Sequence, residues 1–84
     1  MAYRVEFDKR ASKDLENLDP QVRQRVIRKR YILEREPARG PNIKRLKGYP
    51  NRYRLRVGDW RLVYEIEGDL VIVVGIMHRS DAYR

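Results

Sequence analysis

The 84-residue sequence has no cysteine, which excludes a disulfide framework and any thiolate metal site. His78 is its only histidine, so a structural zinc site is excluded as well. No apolar run approaches the roughly 20 residues that a membrane-spanning helix requires. The opening residues, Met1 to Arg4, lack the long apolar stretch of a signal peptide. These absences predict a cytoplasmic chain with no membrane partner. The length fits a single domain, residues 1–84, with a modest core. No repeat, linker or low-complexity segment interrupts it.

Acidic residues are missing from one stretch in particular. Between Pro37 and Tyr64 the only acid is Asp59, against eight basic residues: Arg39, Lys44, Arg45, Lys47, Arg52, Arg54, Arg56 and Arg61. That span therefore carries +7 of the formal net charge of +8, and the remainder of the chain is nearly balanced. A balanced frame with one basic sector is the footprint of a phosphate-binding surface. The alternative is a solubilising face with no specific ligand.

Apolar periodicity predicts an α+β domain. Tyr3, Val5 and Phe7 alternate with Arg4 and Glu6, as in a strand with one buried face. Asp8 is placed to cap a helix carrying Ala11, Leu15 and Leu18 at helical spacing. Asp19-Pro20 starts a second helix, and Pro37 ends it by forcing residue 36 out of the helical region. Residues 38–50, punctuated by Gly40-Pro41 and Gly48, read as a loop. Three strands follow, turning at Gly58-Asp59 and Gly68-Asp69, the last a nearly continuous apolar run from Leu70 to Met77. The expected architecture is an N-terminal strand, a two-helix hairpin and a three-stranded antiparallel meander, with the helices on one face of a four-stranded sheet.

Hairpin register locates the chemistry. If Val57 pairs with Trp60, Arg56 faces Arg61, and alternation puts Arg52, Arg54, Arg56 and Arg61 on the sheet face away from the helices. Opposed guanidinium groups repel each other unless an anion lies between them. The last strand returns antiparallel, bringing His78, Arg79 and Tyr83 toward that cluster. Histidine is the side chain whose ordinary titration falls near neutrality. His78 is thus a proton-transfer candidate, or else simply a polar residue at a strand end. Tyr83 offers a stacking ring, or else belongs to a frayed end. The same register sets Val63 opposite Val74 and Ile76 beside Arg61, an apolar strip on which a partner could dock.

These residues carry a family resemblance. Tyr3-Arg4-Val5-Glu6-Phe7, the helix with Ala11, Leu15 and Leu18-Asp19, Leu46-Lys47-Gly48, the run Tyr53 to Arg61, Val63-Tyr64, His78-Arg79 and Tyr83 span nearly the whole chain. In this order they resemble the RelE/ParE superfamily of toxins from type II toxin–antitoxin systems, the RelE branch more than the ParE branch. The resemblance implies a RelE-like microbial ribonuclease fold. It also implies an mRNA endoribonuclease acting in the ribosomal A site, by attack of the 2′-hydroxyl on the adjacent phosphate, with no metal or other cofactor. By position it assigns Arg54, Arg56, Arg61, Arg79 and Tyr83 to the active site, with His78 beside them. Lys47 becomes an RNA contact, joined by its basic neighbours Lys44, Arg45 and Arg52. The implied partners are a cognate antitoxin, the ribosome with its mRNA, and operator DNA reached through the antitoxin. One departure stands out: the best-known RelE enzyme has lysines at the positions of Arg54 and Arg56. A crowded lysine can lose its proton and act as a base, whereas arginine cannot. Two other functions therefore remain open on the same fold: a ParE-type gyrase inhibitor, and an RNA-binding module with weakened catalysis.

Overall fold

The structure, a computed structural model, describes residues 2–82. In chain order the elements are β1 (Arg4–Phe7), α1 (Lys9–Glu16), α2 (Pro20–Arg28), α3 (Arg30–Arg35), β2 (Ile43–Arg45), β3 (Arg52–Val57), β4 (Trp60–Glu67), β5 (Leu70–His78) and α4 (Arg79–Ala82). The sheet has five strands, in the order β1-β5-β4-β3-β2, where the sequence suggested four. The additional strand, β2, lies in the segment read as a loop and pairs antiparallel with β3. It is short and basic, as exposed edge strands tend to be, so it carries no apolar alternation that would reveal it.

Local chemistry accounts for the helices. The Asp8 carboxylate accepts the Ala11 amide at 2.8 Å and caps α1. Pro20 occupies the first turn of α2, although Asp19 makes no side-chain cap. The predicted second helix is divided at Lys29, whose amide is shared between the Arg25 and Val26 carbonyls. Glu36, ahead of Pro37, has left the helical region and closes α3.

The core lies between the helices and one sheet face. Ala11, Val26 and Leu33 from the helices meet Leu55, Leu62, Tyr64, Val71 and Val73 from the strands, and each is 1% exposed or less. Full burial of a Val or Leu side chain contributes about 1.5–3 kcal/mol relative to exposure. The Tyr64 hydroxyl is satisfied inside this core, donating to the Pro37 carbonyl at 2.6 Å. It ties the end of the helical layer to the sheet.

Register explains the rest. Val57 pairs with Trp60, Arg56 with Arg61 and Leu55 with Leu62, as expected. Gly58 has φ of 60° and no described non-glycine residue has positive φ. A glycine in first place is what a type II′ turn requires, so the order Gly-Asp suits the hairpin. Along β4–β5 the register shifts by one at a bulge between Val63 and Tyr64. Val63 consequently faces Gly75, Arg61 faces Met77, and Ile76 pairs with Leu62 on the core side. The apolar strip expected from Val63, Val74 and Ile76 is therefore absent. One extra residue in β5 turns Ile76 over. The Ile76 amide is satisfied instead by the Asp14 carboxylate at 3.1 Å.

Candidate functional site

Alternation along β3 and β4 places Arg52, Arg54, Arg56, Arg61 and Val63 on the sheet face opposite the core. Lys44 joins them, because it pairs with Arg54 across β2–β3. Lys44 and Arg56 are exposed, and Arg54 is half-buried. Arg52 shares the face but is bound to the Glu65 carboxylate at 2.6 Å, and its guanidinium lies 4.3 Å from the Tyr49 ring centre. Its charge is thus matched locally. Arg45 points to the other pleat at the sheet edge and donates to the Pro50 carbonyl at 2.8 Å. Lys47 is exposed in the β2–β3 connection.

Arg61 departs from the expectation of an exposed side chain. It is only 6% exposed, the one buried charged residue among those described. Its Nη1 donates to the carbonyls of Gly58 and Trp60, both at 3.1 Å. Its Nε is buried without a hydrogen-bond partner among the described residues. No carboxylate pairs with it among the described residues. Alternation correctly predicted the face but could not predict the depth. A buried cation with no counter-charge is costly, and Arg56 directly opposite adds a second positive charge. Such an arrangement is relieved by an anion, and a phosphate fits its charge and its planar donors.

The strand end behaves as expected in one respect and not in another. The Arg79 amide donates to the Asp59 carbonyl at 2.7 Å, so α4 begins against the β3–β4 turn that also holds the Arg61 guanidinium. Arg79 itself is exposed there. His78 pairs with Trp60 and so leaves the strand on the core-side pleat, away from Arg61. Its ring meets the Trp60 ring edge-on, with centres 5.2 Å apart. Nδ1 is approached by the Ser80 amide at 3.3 Å and by the Ser80 hydroxyl at 2.9 Å. An amide can only donate, so Nδ1 accepts and the neutral ring carries its proton on Nε2. Tyr83 lies outside the described residues.

Sequence reasoning missed two contributors. Asp14 fixes the bulged part of β5, but an acid within an amphipathic helix reads as a solvated residue. Arg25, Arg28 and Lys29 gather beside the same hairpin turn, and only their spacing of three and four residues on one helix hinted that they share a side. No helix of the described residues is long and apolar enough to cross a membrane.

The profile of a family described as the ParE toxin of the type II toxin–antitoxin system parDE matches residues 5–83. Toxin RelE3 of Methanocaldococcus jannaschii is 36% identical over 85 residues, covering 95% of this chain and 94% of the relative. The mRNA interferase toxin RelE of Escherichia coli K12 is 35% identical over 89 residues, covering 99% of this chain and 92% of the relative. Among solved structures, the toxin–antitoxin complex RelBE2 of Mycobacterium tuberculosis matches with a TM-score of 0.83 at 30% identity, over 96% of this chain and 95% of that one. The RelE–RelB complex of Pyrococcus horikoshii matches with a TM-score of 0.80 at 29% identity, over 94% and 97%. The chain belongs to the RelE/ParE superfamily of toxins of type II toxin–antitoxin systems.

Proposed function

We propose that this toxin is an mRNA endoribonuclease that acts on the ribosome without a metal, in the cytoplasm, and is restrained by a cognate antitoxin. The observation that carries this reading is Arg61: a buried guanidinium with no anionic partner among the described residues, opposite Arg56 and beside the start of α4. The relatives named as mRNA interferases and the RelE–RelB complexes support the same reading.

The chemistry follows from the residue types. The substrate 2′-hydroxyl attacks the neighbouring phosphorus, and the P–O bond to the next 5′-oxygen breaks. A 2′,3′-cyclic phosphate and a free 5′-hydroxyl result. Extra negative charge builds up on the phosphoryl oxygens in the transition state. Arg54, Arg56, Arg61 and Arg79 are the donors proposed to meet it, by charge and directed N–H groups. None of them can take the 2′-hydroxyl proton, since arginine remains charged. His78 is the proton-transfer candidate. The 2′-hydroxyl proton passes to water, and the departing 5′-oxygen takes up a proton from water. His78, whose Nδ1 is engaged by Ser80 and whose ring leaves the strand on the other pleat, would assist that transfer only through Nε2. Tyr83 contributes a stacking surface for a base. Lys44 and Lys47 extend the backbone-binding surface toward β2, with Arg52, matched by Glu65, and Arg45, on the other pleat, at its margin.

The test is translation in a cell-free extract with primer extension on the mRNA. Cuts that appear only while ribosomes engage the message support the proposal. An intact message with inhibited DNA supercoiling would point to the gyrase-directed reading that the ParE family name raises. An intact message with retained RNA binding would point to a catalytically weakened module.

A further inference from the structure

Several basic side chains on the helices play no part in the face described above. A cleft of about 630 Å³ opens between the C-terminal end of α2 and the β3–β4 turn. Arg25, Arg28 and Lys29 line it from the helical side, and Arg56 lines it from the sheet, with Asn42 and Gly58 between them. No acid lines it. None of these four cations forms an ion pair among the described residues. Some basic residues elsewhere are committed. Arg4, Arg30 and Arg52 are each matched by a glutamate. Arg23 donates to the carbonyls of Leu15, Glu16 and Leu18, where α1 ends.

A helix C-terminus attracts cations through its dipole, which accounts for part of the cluster. It does not account for Arg56, which arrives from a strand, or for the absence of an acid among the residues that line the concavity. Gly58 contributes by what it lacks: a Cβ at that position would collide with the Arg25 guanidinium. The turn thus admits the arginine into the cleft. Arg56 links two surfaces, standing opposite Arg61 across the hairpin and also lining this cleft. The two basic surfaces therefore meet at the end of the sheet. A concavity lined by one sign of charge concentrates oppositely charged ligands.

We propose that this cleft is a second phosphate-binding site, which holds RNA backbone continuing from the Arg54–Arg61 face around the end of the sheet. It rests on the ribonuclease reading above and adds a second stretch of contact to it. The chemistry recognised is the phosphodiester backbone, supplied either by the message itself or by folded ribosomal RNA.

Two binding measurements test this with the purified protein and its Arg25→Gln/Arg28→Gln variant, after thermal melting has confirmed that both are folded. In the first, a fluorescent 2′-O-methyl single-stranded RNA, which cannot be cut by 2′-hydroxyl attack, is titrated across salt concentrations. The second is co-sedimentation with ribosomes. Loss of two phosphate contacts should reduce the salt slope by about 1.4, at roughly 0.7 per contact. A reduced slope with the single strand assigns the cleft to the message, and loss confined to sedimentation assigns it to ribosomal RNA. Unchanged behaviour in both overturns the proposal. So does intact RNA binding with lost antitoxin binding, which would make the cleft a protein-docking site. The ribonuclease reading fails separately, if the wild-type protein leaves mRNA uncut during translation.

Discussion

Two side chains show how strongly the environment of a residue can matter here. Arg61 is buried without a counter-charge among the described residues, so its presence costs stability that a neutral side chain of similar length would not. Arg61→Met should leave stability unchanged or raise it, by up to about 2 kcal/mol. The same substitution should lower ribosome-dependent cleavage by roughly 10² to 10³, the usual cost of losing one transition-state donor. Chemical denaturation and primer extension on one preparation measure both. A clear loss of stability would mean that the guanidinium is a structural element and its burial is not a functional strain. Tyr64 is the opposite case, a polar group fully satisfied in the core. Burial, and secondarily the stacked Tyr53, push its phenol well above the ordinary value near 10. The folded state therefore holds this proton more tightly than the unfolded state does. Its contribution is fully present below about pH 10 and declines as pH rises toward the folded value. Tyr64→Phe should cost about 1 kcal/mol near neutrality, through the lost bond to the Pro37 carbonyl. It should also flatten the alkaline decline, as urea unfolding midpoints from pH 9 upward would show.

Among the elements, β5 decides how the two faces are arranged. Its bulge turns Ile76 inward, and the Asp14 carboxylate accepts the amide that the interrupted ladder leaves over. Asp14→Ala should cost about 1–3 kcal/mol, because a buried N–H loses its partner. Cleavage should fall further than stability alone explains, since His78 and Arg79 are carried by the end of that strand. Asp14→Asn, which keeps an acceptor, should recover most of both. If Asp14→Ala cleaves normally at a temperature where it is folded, the bulge has no positioning role. The β3–β4 hairpin was legible in the sequence because period-two alternation and a glycine-led turn leave one sensible register. The face carrying Arg54, Arg56 and Arg61 was legible for the same reason. The bulge was not, because an added residue within the continuous run Leu70 to Met77 disturbs no polar pattern. β2 was hidden by its shortness and its charge. His78 was expected beside Arg61, and the bulge is what moves it to the other pleat.

For the molecule as a whole, charge is distributed by position, with the acids concentrated in the frame and the excess cations along the β2–β4 side of the sheet. Several phosphates should therefore be engaged together. Affinity for single-stranded RNA should fall with salt at a log–log slope steeper than about −2, at roughly −0.7 per contact. Fluorescence anisotropy over a range of potassium concentrations measures this. A slope shallower than about −2 would mean that fewer than three phosphates are met, and that the basic sector serves mainly for solubility.

The strand order carries one more consequence. β1, made before the other strands, has a single neighbour in the described sheet, and that neighbour is β5, which lies parallel to it. A pairing across such a sequence separation must wait for the intervening chain. While the protein is being synthesised, β1 and the helices behind it have no β5 on which to close the core, and β4 has only half of its ladder. The surface built around Arg61 and Arg79 does not exist until that closure. Until the last strand docks, Arg61 and the start of α4 are not held together at the β3–β4 turn, so this face is the last part of the molecule to form.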